Sequence, residues 1–224
     1  MPLRSLRPVV AVVVAVAASA INLVAPAGAA ITRDPIVFVH GYNGDASNWN
    51  TMINRFKADG YTAAELFAWD YDSTQSNVVI ARQLATYVDQ VRAQTGAAKV
   101  DIVGHSMGGL NSRQFLKFEG GAAEVDDWSS LGSPHHGTTV AYGCLTTPCR
   151  EMYPNSTFLN NLNAGDETPG AVRYGSWWSP CDEALEPKDT AVLSGAVNTK
   201  TACLSHTALL TDATVYVQVR DFVR

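Results

Sequence analysis

The segment from Lys99 to Phe115, KVDIVGHSMGGLNSRQF, constrains the chain more than any other. Lys99 to Gly104 (KVDIVG) reads as a buried strand. Leu110 to Phe118 has a helical pattern that stops at Gly120-Gly121. Only a few residues separate the two, so the chain must turn sharply from strand into helix with Ser106 at the apex. The G-x-S-x-G pattern of Gly104, Ser106 and Gly108 is weak in isolation and specific in this context. Glycines on either side remove side chains that would collide with the strand and the helix. The serine oxygen is left above the sheet, beside a helix N-terminus that favours developing negative charge.

Similar alternation runs along the chain. Pro35 to His40 (PIVFVH), Ala64 to Trp69, Lys99 to Gly104, Val125 to Leu131 and Ala171 to Gly175 are strand candidates. Ser47 to Lys57 has a helical pattern with Ser47 as N-cap. Ser76 to Thr95 is the clearest helix, with Val78, Ala81, Ala85, Val88 and Val91 on one face, Ser76 as cap and Gly96 as stop. A short helix is expected near Ser156 to Leu162. The last segment alternates at Val215, Val217 and Val219 like a strand, but Asp212 can cap a helix there, and a closing helix is expected. This order predicts an α/β chain, with a mostly parallel sheet and helices on both faces.

Of the 224 residues, 46% are hydrophobic and 17% charged, which suits one folded domain. Arg4 and Arg7, the apolar run Val9 to Ala18 and the small residues Ala27-Gly28-Ala29 have the form of a secretory signal peptide over residues 1–29. The apolar run falls short of the ~20 residues needed to span a membrane, so no stable anchor is expected. The folded domain is expected over residues 30–224. Loss of the leader takes two arginines and no acid, moving the formal charge from −5 to −7. That acidic balance argues against a nucleic-acid partner. Four cysteines in an exported chain favour two disulfides. Cys144–Cys149 would close a short loop around Pro148, and Cys181–Cys203 would draw two distant loops together. No C-x₂-C spacing suggests zinc, and no metal is expected.

A serine in this setting needs a base, an acid and an oxyanion hole, in the chain order serine, acid, histidine. That order excludes His40 and His105 as the base. His135 and His136 follow Ser106 too closely to leave room for a strand carrying the acid. His206 precedes the closing helix, where the base belongs. Asp182 is the favoured acid because it adjoins Cys181, while Cys203 lies three residues before His206. Glu183, Asp166 and Asp189 are rivals. The oxyanion donors are expected to be the backbone N–H groups of Tyr42, after the first strand, and Met107. His40 is expected to pack its loop, Asp70 and Asp72 to form a polar turn, and His135-His136 to be plain loop residues. Trp177 and Trp178 fit an acyl site or simple packing equally well.

The chain resembles the small secreted bacterial triacylglycerol lipases of the class 2 lipase family. The resemblance runs from Pro35 to the C-terminus and rests on PIVFVHGYNGDASNW, LFAWDYD, KVDIVGHSMGGLNSRQF, LGSPHHGT, SPCDEAL and CLSHTALL. It implies a compact single-domain α/β-hydrolase fold, with nucleophile at Ser106, acid at Asp182, base at His206 and oxyanion donors at Tyr42 and Met107. It implies hydrolysis of an ester or lipid through an acyl-enzyme, without cofactor, by a monomer. An exported acyltransferase or a polyester depolymerase would use the same triad. The segment between Ser133 and Gly170 departs from the most minimal members by its length and by Cys144 and Cys149. It is the only room for a lid, and its apolar cluster of Phe158, Leu159 and Leu162 is too small for a broad one, so an open site is expected.

Overall fold

The computed structural model describes residues 31–223. The leader expected over residues 1–29 lies outside the described residues. Six strands form one sheet: β1 (Ile36–Val39), β2 (Leu66–Trp69), β3 (Val100–His105), β4 (Val125–Leu131), β5 (Arg173–Trp178) and β6 (Val197–Lys200). Their spatial order is β2-β1-β3-β4-β5-β6, and every neighbouring pair is parallel. The helices are α1 (Asn50–Ala58), α2 (Asn77–Thr95), α3 (Met107–Phe118), α4 (Thr147–Glu151), α5 (Thr157–Asn163) and α6 (Ala213–Phe222).

The side-chain alternation of β1 explains the two-sided core. Val37 and Val39 pack with Ile80, Ala81, Leu84 and Val88 of α2 and Leu110 of α3. Ile36 and Phe38 face the other way, against Met52 and Phe56 of α1 and Val215 and Val219 of α6. Because both faces are covered, β1 is apolar throughout rather than alternating, whereas β3 and β4 bury polar side chains as well, among them Asp101, Asp127, Ser129 and Ser130. The buried face of α2 is centred on Ile80 and Leu84, with Val78 and Ala85 only half-buried at its flank.

Two expectations are corrected in detail, one open choice is decided and one strand is added. A 3-10 turn over Ala46–Trp49 precedes α1, and its cap is Asp45, which accepts from the Ser47 N–H at 2.7 Å. Ser47 is a poorer cap than a carboxylate one residue earlier. Strand β5 runs on to Trp178, through residues expected in a loop. Trp177 is buried against Phe222 of α6 and donates its Nε1–H to Gln218, so it packs the core, while Trp178 stacks with Lys200. The edge strand β6 was not expected, because VNTK is mostly exposed and carries no apolar alternation.

The segment 134–170 is anchored rather than loose. Phe158, Leu159 and Leu162 of α5 are core residues. Beneath them lies a buried polar chain. Arg113 of α3 donates to Asn163 Oδ1 and to the Glu167 carbonyl, both at 3.1 Å. Asn163 donates to the His135 carbonyl at 2.8 Å, and the His135 ring lies 3.0 Å from Ser130 Oγ. The neighbouring His136 turns away to Glu167, so the two adjacent rings have different partners. Cys144 is bonded to Cys149 and Cys181 to Cys203, with Cα separations of 5.7 and 5.0 Å. No helix among the described residues is long and apolar enough to cross a membrane.

Three buried histidines make the fold acid-sensitive. Burial lowers His40 and His135 from the ordinary imidazole value, and burial together with the nearby His206 holds His105 down to about 3. The unfolded chain binds protons at these rings near pH 6.5 and the folded chain only at lower pH. Stability is therefore full above about pH 6.5 and is lost as pH falls below it, by up to about 1.4 kcal/mol per pH unit for each ring. Asp101, raised by burial and by Asp127, acts in the opposite sense as pH rises through the carboxylate range. Urea midpoints should fall between pH 6.5 and 4.5. His135→Asn should be less stable at pH 7.5 but show a flatter pH profile, and an equally steep profile would contradict this account.

Candidate active site

The strand order reverses between β1 and β3, because the chain from β1 builds outward to β2 and then returns to the other side. Ligands of open parallel sheets bind at such a point, beyond the carboxyl ends of the strands. Ser106 follows β3 there, and the Gly41-Tyr42 loop follows β1.

Ser106 has φ 55° and ψ −127°, a strained conformation for a residue with a side chain. Close backbone contacts enforce it. The Ser106 N–H donates to the Leu131 carbonyl at 2.9 Å. A Cβ on Gly104 would stand 2.9 Å from the Gly109 nitrogen, and one on Gly108 would overlap the Val39 carbonyl. A Cβ on Gly41 would stand 2.8 Å from the Ser106 Cβ. The turn therefore leaves one side chain free, and Met107 begins α3 directly behind it.

Asp182 is fully buried after β5, and both its oxygens face His206. The His206 Nδ1–H lies 2.9 Å from Oδ1 and 2.8 Å from Oδ2. Asp182 Oδ1 also accepts the Ala184 N–H at 2.9 Å. Glu183 accepts the His206 backbone N–H at 3.0 Å, which holds its carboxyl below the usual range. Of the two adjacent acids, one orients the ring and the other the backbone. The remaining rivals lie elsewhere: Asp166 caps the Thr168 N–H, and Asp189 sits in the 3-10 turn Lys188–Ala191.

Two supports of His206 escaped the sequence reading. Ser179 Oγ accepts the N–H groups of Cys181 at 3.1 Å and Leu204 at 2.8 Å, stitching the acid loop to the base loop beside the Cys181–Cys203 bond. His105 is buried with its Nε2 at 3.1 Å from the His206 carbonyl, and burial keeps it neutral. The motif draws attention to the variable position after Gly104 without saying what its side chain touches.

The loop after β1 is held with similar care. The His40 ring stacks on Tyr71 at 4.0 Å, and its Nδ1–H donates to the Gly41 carbonyl at 2.8 Å. The Tyr71 hydroxyl donates to the His40 carbonyl at 2.6 Å and accepts from Asn111 Nδ2 at 3.0 Å. Tyr71 lies inside the WDYDS turn, where Asp72 accepts from Thr74 and Asp70 is exposed. The Tyr42 hydroxyl lies 3.2 Å from Thr146 Oγ1 and 3.5 Å from Cys144 Sγ, tying this loop to the disulfide segment.

A cleft of about 570 Å³ opens on Ser106 and His206, lined also by Gly41, Tyr42, Asn48 and Leu210. Trp177 and Trp178 do not line it. A larger groove of about 1030 Å³ between α2, α3, α4 and α5 contains none of Ser106, Asp182 or His206.

Gly132, at φ 58°, leaves the space that the acid and base occupy, since a Cβ there would stand 2.8 Å from Asp182 Oδ2 and 3.2 Å from His206 Nδ1. Gly132→Ala should separate the pair. The downfield Nδ1–H proton resonance of a carboxylate-bound imidazole should disappear, and its persistence would show that the pair tolerates the methyl group.

A family profile described as Lipase (class 2) matches residues 33–221. Triacylglycerol lipases of Pseudarthrobacter phenanthrenivorans and Burkholderia plantarii are each 31% identical over 118 residues, which is 50% of this chain but only 36% and 32% of theirs. The matched part is thus about a third of those relatives' length. Among solved structures, the mature Bacillus licheniformis lipase BlEst2 superposes with a TM-score of 0.73 at 21% identity, covering 89% of this chain and 94% of that one. Aspergillus fumigatus lipase B gives 0.73 at 18% identity, covering 84% and 52%. These structures share the α/β-hydrolase fold described above. With the profile spanning nearly all the described residues, the chain belongs to the class 2 lipase family.

Proposed function

We propose that the protein is an exported serine hydrolase that cleaves carboxylic esters, acylglycerols among them, through an acyl-enzyme on Ser106. The observation that carries this reading is the meeting in one cleft of a serine on a strained strand-to-helix turn and a histidine held by both oxygens of a buried carboxylate. His206 takes the Ser106 proton as the oxygen attacks the ester carbonyl. The backbone N–H groups of Tyr42 and Met107 receive the oxyanion. Asp182 fixes the tautomer of His206 and stabilises the imidazolium. His206 then protonates the departing alcohol, and water releases the acid by the reverse sequence. Every step runs on side chains and backbone, with no cofactor. The two disulfides suit an oxidising compartment and support export. Val140, Tyr142 and Leu145, exposed on the segment that Tyr42 touches, offer apolar surface for the acyl chain.

Ser106→Ala and His206→Ala should each lower kcat on p-nitrophenyl butyrate by about three orders of magnitude or more, with urea midpoints retained. Asp182→Asn should cost about two orders or more, since the ring loses its orienting partner. Glu183→Gln should cost far less. Near-wild-type activity of Asp182→Asn beside an inactive Glu183→Gln would reverse the assignment of the acid.

The apolar cluster of α5 is committed to the core and does not cover the cleft. Tributyrin hydrolysis should therefore rise smoothly with concentration through the solubility limit. A sharp jump in rate at that limit would mean that some other segment closes over the site.

A further inference from the structure

The departing oxygen of an ester must take its proton from the base, so the alcohol half of the substrate lies on the His206 side of Ser106. Two short segments form the walls there. One is the loop 43–48, and the other is 205–211, which includes the 3-10 turn Thr207–Leu210. Their cleft-lining side chains are mostly uncharged and polar, with Ala208 and Leu210 the apolar exceptions. Asn43 and Asn48 stand on one wall and Ser205, Thr207 and Thr211 on the other, and no Lys, Arg, Asp or Glu lines the cleft.

The hydrogen-bonding capacity of these groups is largely unspent. Asn48 Oδ1 accepts the Asp45 N–H at 3.3 Å, which fixes the amide and leaves its Nδ2 donors without a partner among the described residues. Neither the Asn43 side-chain amide nor the Thr207 hydroxyl has one there, although the Asn43 backbone N–H donates to Ser73 Oγ at 2.9 Å. Ser205 Oγ accepts the Ala208 N–H at 3.3 Å and keeps its own proton to donate. The Thr211 hydroxyl makes only a long 3.4 Å bond to the Ala208 carbonyl. An apolar alcohol entering this space would strip water from these groups and return nothing, whereas hydroxyls would replace that water bond for bond. A phosphate would find no Lys or Arg among the residues that line the cleft, since Arg55 behind the wall is bonded to the Thr211 and Asp212 carbonyls.

Resting on the ester-hydrolase reading, we propose that this cleft is the leaving-alcohol subsite and that it takes a small neutral polyol. Esters of glycerol with free hydroxyls, or of a similar polyhydroxyl alcohol, are then better substrates than esters of alkyl alcohols. Specificity for the alcohol resides in Asn48, Thr207 and Thr211.

The test compares kcat/KM for glycerol 1-monobutyrate, butyl butyrate and the monobutyrate of glycerol 3-phosphate, all below their solubility limits. The neutral glycerol ester should exceed the butyl ester by about tenfold, as expected for one to two net hydrogen bonds, and should also exceed the phosphate ester. In the near-isosteric Thr207→Val/Thr211→Val variant the ratio of glycerol to butyl ester should fall about fivefold, chiefly through KM for the glycerol ester. A wild-type ratio near one, a faster phosphate ester, or a ratio unmoved in the variant would each overturn the subsite. Labelling of Ser106 by a fluorophosphonate probe separates the two levels. Labelled enzyme with a ratio near one defeats the subsite alone. Unlabelled Ser106 with neither ester cleaved defeats the hydrolase reading and the subsite with it.

Discussion

The close approach of the start of α3 to the end of β1 is the contact on which the rest of this structure depends. Gly108 lies so near the Val39 carbonyl that no side chain fits between them, and a Cβ on Gly104 would stand 2.9 Å from the Gly109 nitrogen of the helix that follows it. This crossing holds Ser106 at positive φ while its N–H is tied to the end of β4. A serine so placed costs about 1–3 kcal/mol of backbone strain, and only an over-determined surrounding keeps it there. The packed core on both sheet faces supplies that surrounding. The same crossing sets Gly41 against Ser106, so the loop after β1 and the turn after β3 are built as one unit.

A second constraint is the joining of loops that the sheet alone would leave apart. Asp182 follows β5 and His206 follows β6, and neither strand end dictates where its loop goes. The Cys181–Cys203 bond and the Ser179 hydroxyl close that gap from below, and His105 and Glu183 grip the backbone of His206. The imidazole is thereby fixed from its backbone outward, with Asp182 adding the final orientation. The polar chain from Arg113 through Asn163 and His135 to Ser130 does comparable work for residues 134–170. In a buried setting such a chain specifies one arrangement because each group left unpaired would be costly.

Strand β1 was legible in the sequence because burial on both faces demands an unbroken apolar run, β3 because the turn at Ser106 marks its end, and α2 because its face, cap and terminal glycine agree. Strand β6 was not legible, since an exposed edge strand is held by backbone pairing and needs no apolar pattern. Trp177 was misplaced in a loop for a related reason: a run of Trp, Ser and Pro carries no period from which to find the end of a strand. Tyr71 escaped notice because its neighbours Asp70 and Asp72 have the composition of a plain turn. Its contact with His40 and Asn111 joins residues far apart in the chain.

The sequence by itself determined the class of the fold and the strand-to-helix turn at Ser106, and it pointed to the serine, carboxylate and histidine on which the proposed mechanism runs. Those depend on local pattern: apolar period, glycines where no Cβ fits, and the order of elements along the chain. Only the tertiary structure decided that Asp182 rather than Glu183 faces the ring. It also decided that α5 belongs to the core, and that the cleft beside His206 is walled mostly by uncharged polar side chains. The orientation of adjacent residues on a loop, and which loops share a cleft, follow from long-range contacts whose partners lie tens of residues away and leave no local trace.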